Sequence, residues 1–417
     1  MDNPQLASKK DCVGRIYKRP PASTVLNRAP PREHLSKLEA VPFMHIPSWP
    51  QAGERETELL RLVLESPHWG GFHPFVAEFE QSFAAYQHSA FGISAFNGTV
   101  TLEAALLALG IGSGDEVIVP AISFVSTATA VSRVGATPVF VDIHSQTFNI
   151  DPERIAKAVS GKTKALLAVH FGGAMCDMPA LARICREYGL LLIEDAAHAH
   201  GSEWNGKRAG SFGVAGSFSF QNGKVLSAGE GGMLVCSDQE LAATIRSFAN
   251  CGRVPGQSLY QHETLGTNLR MTAFQSAVLL AQFERLPQQI TTRTENAQLL
   301  KTLLEDVEEI AWQQEPEGAT QNSFYLLIGR AANRGLRDQL CHALSAAGVP
   351  CTPFYPHTLY QNELYRRGGC RVMRCPIAEA SIHDAFWLPH RVLLAEVTVI
   401  AQIAGVIRSC LAVRAVQ

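Results

Sequence analysis

The chain has no apolar run long enough to cross a bilayer. Its longest, such as residues 397–407, fall well short of the roughly 20 residues that a spanning helix needs. Neither sign of charge dominates: 36 Lys and Arg stand against 38 Asp and Glu, which leaves no basic footprint for nucleic acid or an anionic membrane. No Cys-x-x-Cys pair occurs. The ten cysteines are scattered, and Cys236 and Cys341 lie inside apolar runs, so they read as buried or free thiols and not as a disulfide framework or a zinc site. No internal repeat is visible, which excludes a solenoid or propeller. The first residues, MDNPQLASKKDCVGR, lack the apolar core of a signal peptide, and the cytoplasm is the expected compartment.

What is present is an ordinary globular composition, 46% hydrophobic and 18% charged, over 417 residues. That length suits one large domain with a smaller one. Residues 1–42 are rich in Pro, Lys, Arg and Ser and lack periodicity, so an extended or disordered arm is expected there. Residues 55–64 and 75–86 have helical spacing. Strands and helices then alternate. Strands are expected at 92–96, 116–119, 138–142, 165–170, 190–194, 215–220 and 232–236, with helices at 100–109, 126–134, 152–159 and 178–188 between them. The runs ALLAV and LLLIE are apolar throughout, as strands buried on both faces are. The expected class is α/β, with a doubly wound sheet in a large domain of residues 43–286. A helix from Pro287 to Leu304, a strand at 323–329 and helices at 336–347 and 397–411 make a smaller α+β domain of residues 287–417.

In open α/β sheets, ligands sit beyond the carboxyl ends of the strands. After the first strand come Asn97, Gly98 and Thr99, which open a helix; N–H groups there suit a phosphate, and also an ordinary helix cap. After the second come Ser123 and Phe124, an aromatic at a strand exit or a core residue. After the fifth comes EDAAHAH, with Asp195, His198 and His200. One use of that run is metal ligation, but no other His/Cys cluster supplies the remaining ligands. The other is a carboxylate that pairs with a ring nitrogen. After the sixth strand comes Lys224, between two glycine-rich turns, GSFSFQNGKVLSAGEGG. It is either a solvated loop lysine or a lysine that glycine lets a ligand approach. A phosphate cup, an aromatic, an acid and a lysine, in that order, are the set that pyridoxal 5'-phosphate (PLP) requires.

Taken together, NGT at 97–99, GDEVIVPAISFVSTATAV from Gly114, EDAAHAHGSEWNGKRAGSFG from Glu194, SFSFQNGKVLSAGEGG from Ser217 and GTNLRMTAFQSA from Gly266 resemble the DegT/StrS type of fold-type-I PLP aminotransferases. The resemblance covers residues from about 45 to 290. It implies a seven-stranded, mostly parallel sheet with a small C-terminal domain. It also implies that Lys224 forms the Schiff base, that Asp195 holds the pyridinium nitrogen, and that His198 lies against the cofactor. Phe124 would stack on the ring, and Gly98, Thr99 and Ser219 would hold the phosphate. Asn268 would reach the phosphate of the neighbouring subunit's cofactor, which implies a homodimer with shared sites. A finer resemblance, in FQNGK, DAAHAHG and HRVLLAE at 390–396, is to 3-amino-5-hydroxybenzoate synthases and cyclitol (scyllo-inosose) aminotransferases.

The leading expectation is transfer of an amino group from glutamine or glutamate to a cyclic ketone in natural-product biosynthesis. The alternatives are an aminodehydratase of the aminohydroxybenzoate kind and a PLP-binding regulator without turnover; the intact Lys224 argues against the regulator.

Overall fold

Short runs of aliphatic residues form the central sheet. A computed structural model describes residues 44–412 except 255, 257 and 259, so the expected arm of residues 1–42 lies outside the described residues. The sheet contains β1 (Phe91–Ala95), β2 (Glu116–Pro120), β3 (Thr137–Val141), β4 (Thr163–Val169), β5 (Leu191–Asp195), β6 (Ala215–Ser219) and β7 (Gly232–Cys236). Each matches an expected strand, with ends shifted by two residues or fewer. Their order is β1-β7-β6-β5-β4-β2-β3. An eighth strand, Arg371–Val372, pairs in parallel with β3 at the edge; it comes from the C-terminal part of the chain and was not expected.

Pairs β2–β3, β2–β4, β4–β5 and β5–β6 are parallel, and β7 runs antiparallel to both its neighbours. All the long strands except β7 therefore point the same way, and their carboxyl ends share one edge. Register keeps those ends level: Val169 pairs with Asp195, and Asp195 with Ser217.

Alternation along the strands builds two cores. Ile118, Leu166 and Ala168 face one, with Phe79, Leu181 and Leu279. Val117, Val119, Ala165 and Leu167 face the other, with Leu102, Leu106 and Val131. Beyond their polar first residues, these strands are apolar on both faces because helices cover both.

The long helix differs from expectation. It runs over Ala273–Thr302, with Pro287 inside it. Proline at 287 resembles a helix start, but the start signal is the Thr-x-x-Gln capping box at Thr272, whose backbone N–H donates to Gln275 Oε1 at 2.9 Å. An interior proline costs about 3 kcal/mol. Burial on both sides of it outweighs that: Ala277, Leu279, Leu286 and Ile290 pack in the large core, and Ala297 and Leu300 in the C-terminal one. A boundary between 286 and 287 would therefore fall inside a continuous helix.

The C-terminal core covers an antiparallel four-stranded sheet ordered Ile310–Trp312, Leu326–Ala331, Ala385–Pro389, Thr352–Pro353, with helices Arg334–Ala346 and Val397–Ala412 against it. The strand expected at 323–329 begins only at Leu326, because Ser323 is engaged elsewhere: its N–H donates to Ser202 Oγ and its hydroxyl to the His198 carbonyl. Every described cysteine is a free thiol. Among the described residues, no helix is long and apolar enough to cross a membrane.

Candidate active site

Four strand exits converge because their strands point the same way. After β1, Asn97 caps the helix Gly98–Ala108, its Oδ1 accepting from the Val100 N–H at 3.0 Å. The turn lies directly on β6: a Cβ on Gly98 would sit 2.8 Å from Ser219 Cβ. It also lies on β7, where a Cβ on Gly232 would sit 2.4 Å from the Asn97 carbonyl. Only glycine permits this approach, and it brings the helix start beside the Ser219 hydroxyl. After β2, the helix Ser126–Arg133 begins, and Ser126 Oγ lies 2.7 Å from Thr99 Oγ1. Two helix N-termini thus meet at a pair of hydroxyls, a setting with positive potential and N–H donors for an anion.

After β5, Asp195 is buried. Its Oδ2 accepts from Thr127 Oγ1 at 2.7 Å and its Oδ1 from the Ala197 N–H at 3.3 Å. Burial raises its pKa, while Thr127 and the charge of Lys224 pull the other way. After β6, the loop of residues 220–231 presents Lys224. Burial lowers the lysine to about 8 from 10.5, and Asp195 partly offsets this. Lys224 Nζ lies 4.5 Å from the centre of the Tyr325 ring. His198 packs on the same tyrosine at 4.2 Å, and its Nδ1 accepts from the Gly172 N–H at 3.3 Å. That contact leaves the proton on Nε2, and burial holds the ring neutral, well below its ordinary pKa.

These residues line one cavity of 470 Å³. Gly98, Thr99, Phe124, Asp195, His198, Ser219 and Lys224 all reach it. Phe124 is 56% exposed, so its ring offers an open apolar face and is not core. Asn268 does not reach the cavity within its own chain; it is exposed, and its Oδ1 accepts from the Arg270 N–H at 3.2 Å. His200 does not join Asp195 and His198: its Nε2 bonds the Ser219 carbonyl at 2.9 Å. Among the described residues, no three His, Cys, Asp or Glu side chains gather as a metal site.

Several lining residues went unnoticed in the sequence: Ser126, Thr127, Gln221, Glu230, Tyr325 and Tyr355. The hydroxyl-rich exit SFVSTA was a usable signal for Ser126 and Thr127. Tyr325 and Tyr355 carried none, because they arrive from the C-terminal part of the chain.

The donor set fits PLP: hydroxyls and helix starts for a phosphate, a carboxylate for a ring nitrogen, an amine for an aldehyde and an aromatic face for the ring. The profile of the DegT/DnrJ/EryC1/StrS aminotransferase family matches residues 50–407. The chain belongs to this family. Its members are PLP enzymes, and the chain is an aminotransferase. It is 39% identical to the 3-amino-5-hydroxybenzoate synthase of Amycolatopsis mediterranei (strain S699) over 84% of this chain and 93% of that protein. It is 36% identical to a putative L-glutamine:3-amino-2,3-dideoxy-scyllo-inosose aminotransferase of Micromonospora echinospora, over 84% of this chain and 90% of that one. The crystal structure of a 3-amino-5-hydroxybenzoic acid synthase superposes with a TM-score of 0.84 at 38% identity, covering 88% of this chain and 99% of the other.

Proposed function

We propose that this aminotransferase binds PLP in the 470 Å³ cavity and moves an amino group from glutamine or glutamate to a ketone on a cyclitol-like or keto-sugar ring. The observation that carries the proposal is that Lys224 and Asp195 line one cavity together with the hydroxyl-bearing residues Thr99 and Ser219 at a helix start. When bound, PLP supplies the electron sink that lets a proton leave the carbon bearing the amino group.

The chain's own residues do the rest. Lys224 anchors the cofactor and then takes and returns the proton; an amine with a pKa of about 8 is basic yet partly free near neutrality. Asp195, held by Thr127, accepts from the protonated ring nitrogen. Phe124 covers the ring, and His198 stands against it with its Nε2–H available. Gly98, Thr99 and Ser219 hold the phosphate at the helix start. Asn268 serves the cavity of a second copy, which makes the enzyme a homodimer with shared sites. In support, Asn268 is exposed and its loop also carries Tyr260 at 89% and Leu265 at 97% exposure, apolar surface that a partner would cover. The cytoplasm is the proposed compartment.

The test is incubation with glutamine or glutamate and a panel of cyclic ketones, following formation of the amine and of the keto acid. Turnover that survives Lys224→Ala rejects the assignment. A second reading has specific support in the 39% identity to an aminohydroxybenzoate synthase. In that reading transfer is followed by loss of water and aromatisation, and a new ultraviolet-absorbing aromatic product distinguishes it.

A further inference from the structure

The lysine loop is held in part by itself: the Asn222 N–H donates to the Gly229 carbonyl and the Lys224 N–H to the Gln221 carbonyl, both at 2.8 Å, and Val225 and Leu226 are buried in the large core. It contains Gly223, Gly229 and Gly231, which have no side chains to pack. Three further side chains bond the backbone carbonyls of this loop and of the strand end that leads into it. Trp49 Nε1 donates to the Lys224 carbonyl at 3.0 Å. His390 Nε2 bonds the Gly223 carbonyl at 3.2 Å, and His200 Nε2 the Ser219 carbonyl at 2.9 Å. A carbonyl only accepts, so both imidazoles carry their proton on Nε2. Burial keeps both neutral and in that role, with His200 lowered to about 3 and His390 well below its ordinary value.

Two of the donors, Trp49 and His390, also hold each other. Trp49 meets His390 edge to face, with centroids 4.5 Å apart at 88°. Arg391 Nη1 donates to the Pro47 carbonyl at 3.1 Å, so the dipeptide 390–391 pins residues 47–49 against the loop. His390 also stacks on Tyr325 at 6.1 Å, the ring that Lys224 Nζ overlies.

We infer that Trp49, His200 and His390 are positioning residues, which fix the backbone of residues 219–224 and thereby aim the Lys224 amine into the cavity. The inference rests on the proposed role of Lys224 as the reacting amine. A displacement of about 1 Å at a reacting group can cost on the order of 100-fold in rate, so small shifts of this backbone matter.

The experiment compares Trp49→Phe, which keeps a ring and removes the N–H, with His390→Leu and with His390→Gln, which retains a donor at similar reach. In the cofactor-free proteins, amide hydrogen exchange within residues 219–226 should rise about fivefold for Trp49→Phe and His390→Leu, with the rest of the chain unchanged. In the loaded enzymes, the single-turnover rate with glutamine should fall about five- to tenfold while KM stays within about twofold. His390→Gln should recover most of both. Borohydride reduction and peptide mapping locate the cofactor in each protein. Wild-type exchange and wild-type rate per loaded site in Trp49→Phe and His390→Leu overturn the inference and leave Lys224 as the reacting amine. Exchange that rises equally throughout the chain overturns it as well. Attachment of the cofactor to another lysine overturns both this inference and the proposed function.

Discussion

Asp195 and Asn268 are both proposed to hold one cofactor, and the structure surrounds them in opposite ways. Asp195 is buried, accepts from Thr127 and Ala197, and shares a cavity with Lys224. Asn268 is exposed, in a segment with several local contacts: a bridge to Asn250, another between Arg253 and His262, and the His262 ring bonded to the Cys251 carbonyl at 2.7 Å. The cavity is completed by strands that depend on each other for burial. Among its described residues, the loop bonds within itself and to residues 247–250 beside it, and it turns Tyr260 and Leu265 outward. A buried carboxylate must find its partners in its own fold, because desolvation is costly. An exposed amide has no such demand, so its role is set by whatever surface meets it.

The largest expected effect would break the cavity side of this comparison. Lys224→Ala should reduce kcat on the order of 10⁴-fold and remove the visible absorption of the lysine-bound cofactor, checked by steady-state kinetics and spectroscopy. Asp195→Asn comes next: an amide cannot balance the ring's positive charge, and kcat should fall on the order of 10²–10³-fold with cofactor still bound. A near-wild-type rate in that variant would remove Asp195 from the chemistry.

On the loop side, Asn268→Ala should weaken cofactor binding roughly tenfold, the usual scale for a hydrogen bond to a charged group. Mixing it with Lys224→Ala chains after reversible dissociation sharpens the comparison. One site of the mixed dimer carries both lesions and the other neither, so activity should return. If proven heterodimers stay inactive, Asn268 serves its own chain.

Smaller still is Thr127→Val, which removes the hydroxyl donated to Asp195. It should cost about tenfold in kcat and leave KM for the amino donor nearly unchanged. The smallest effect is a shift in pH. In the cofactor-free protein, reaction of Lys224 with an aldehyde should rise through a midpoint of about 8, not 10.5. Asp195 favours the protonated amine, so Asp195→Asn should move that midpoint lower. Because the folded value lies below the unfolded one, the unfolded chain binds the extra proton between about 8 and 10.5. This group's contribution to stability therefore rises with pH across that window, a rise that Lys224→Ala should abolish in a denaturant titration.

The sequence by itself determined the seven strands, because most are short apolar runs, β6 alternates small polar with aromatic residues, and the period of the pattern changes where a helix begins. It also determined which side chains could reach the cavity from strand ends. Parallel strands share a carboxyl edge, so Asp195 and Ser219 end there, and Thr99, Phe124, His198 and Lys224 follow their strands within five residues. Only the tertiary structure decided that helix Ala273–Thr302 continues through Pro287, since the burial that overrides the proline comes from two cores which local pattern does not display. It alone brought Tyr325 and Tyr355 to the cavity and set Trp49 on the carbonyl of Lys224, 175 residues away. Contacts between segments so far apart leave no period or spacing in either one. They arise when sheet, helices and C-terminal part close on a shared core, and that closure is a property of the packed chain.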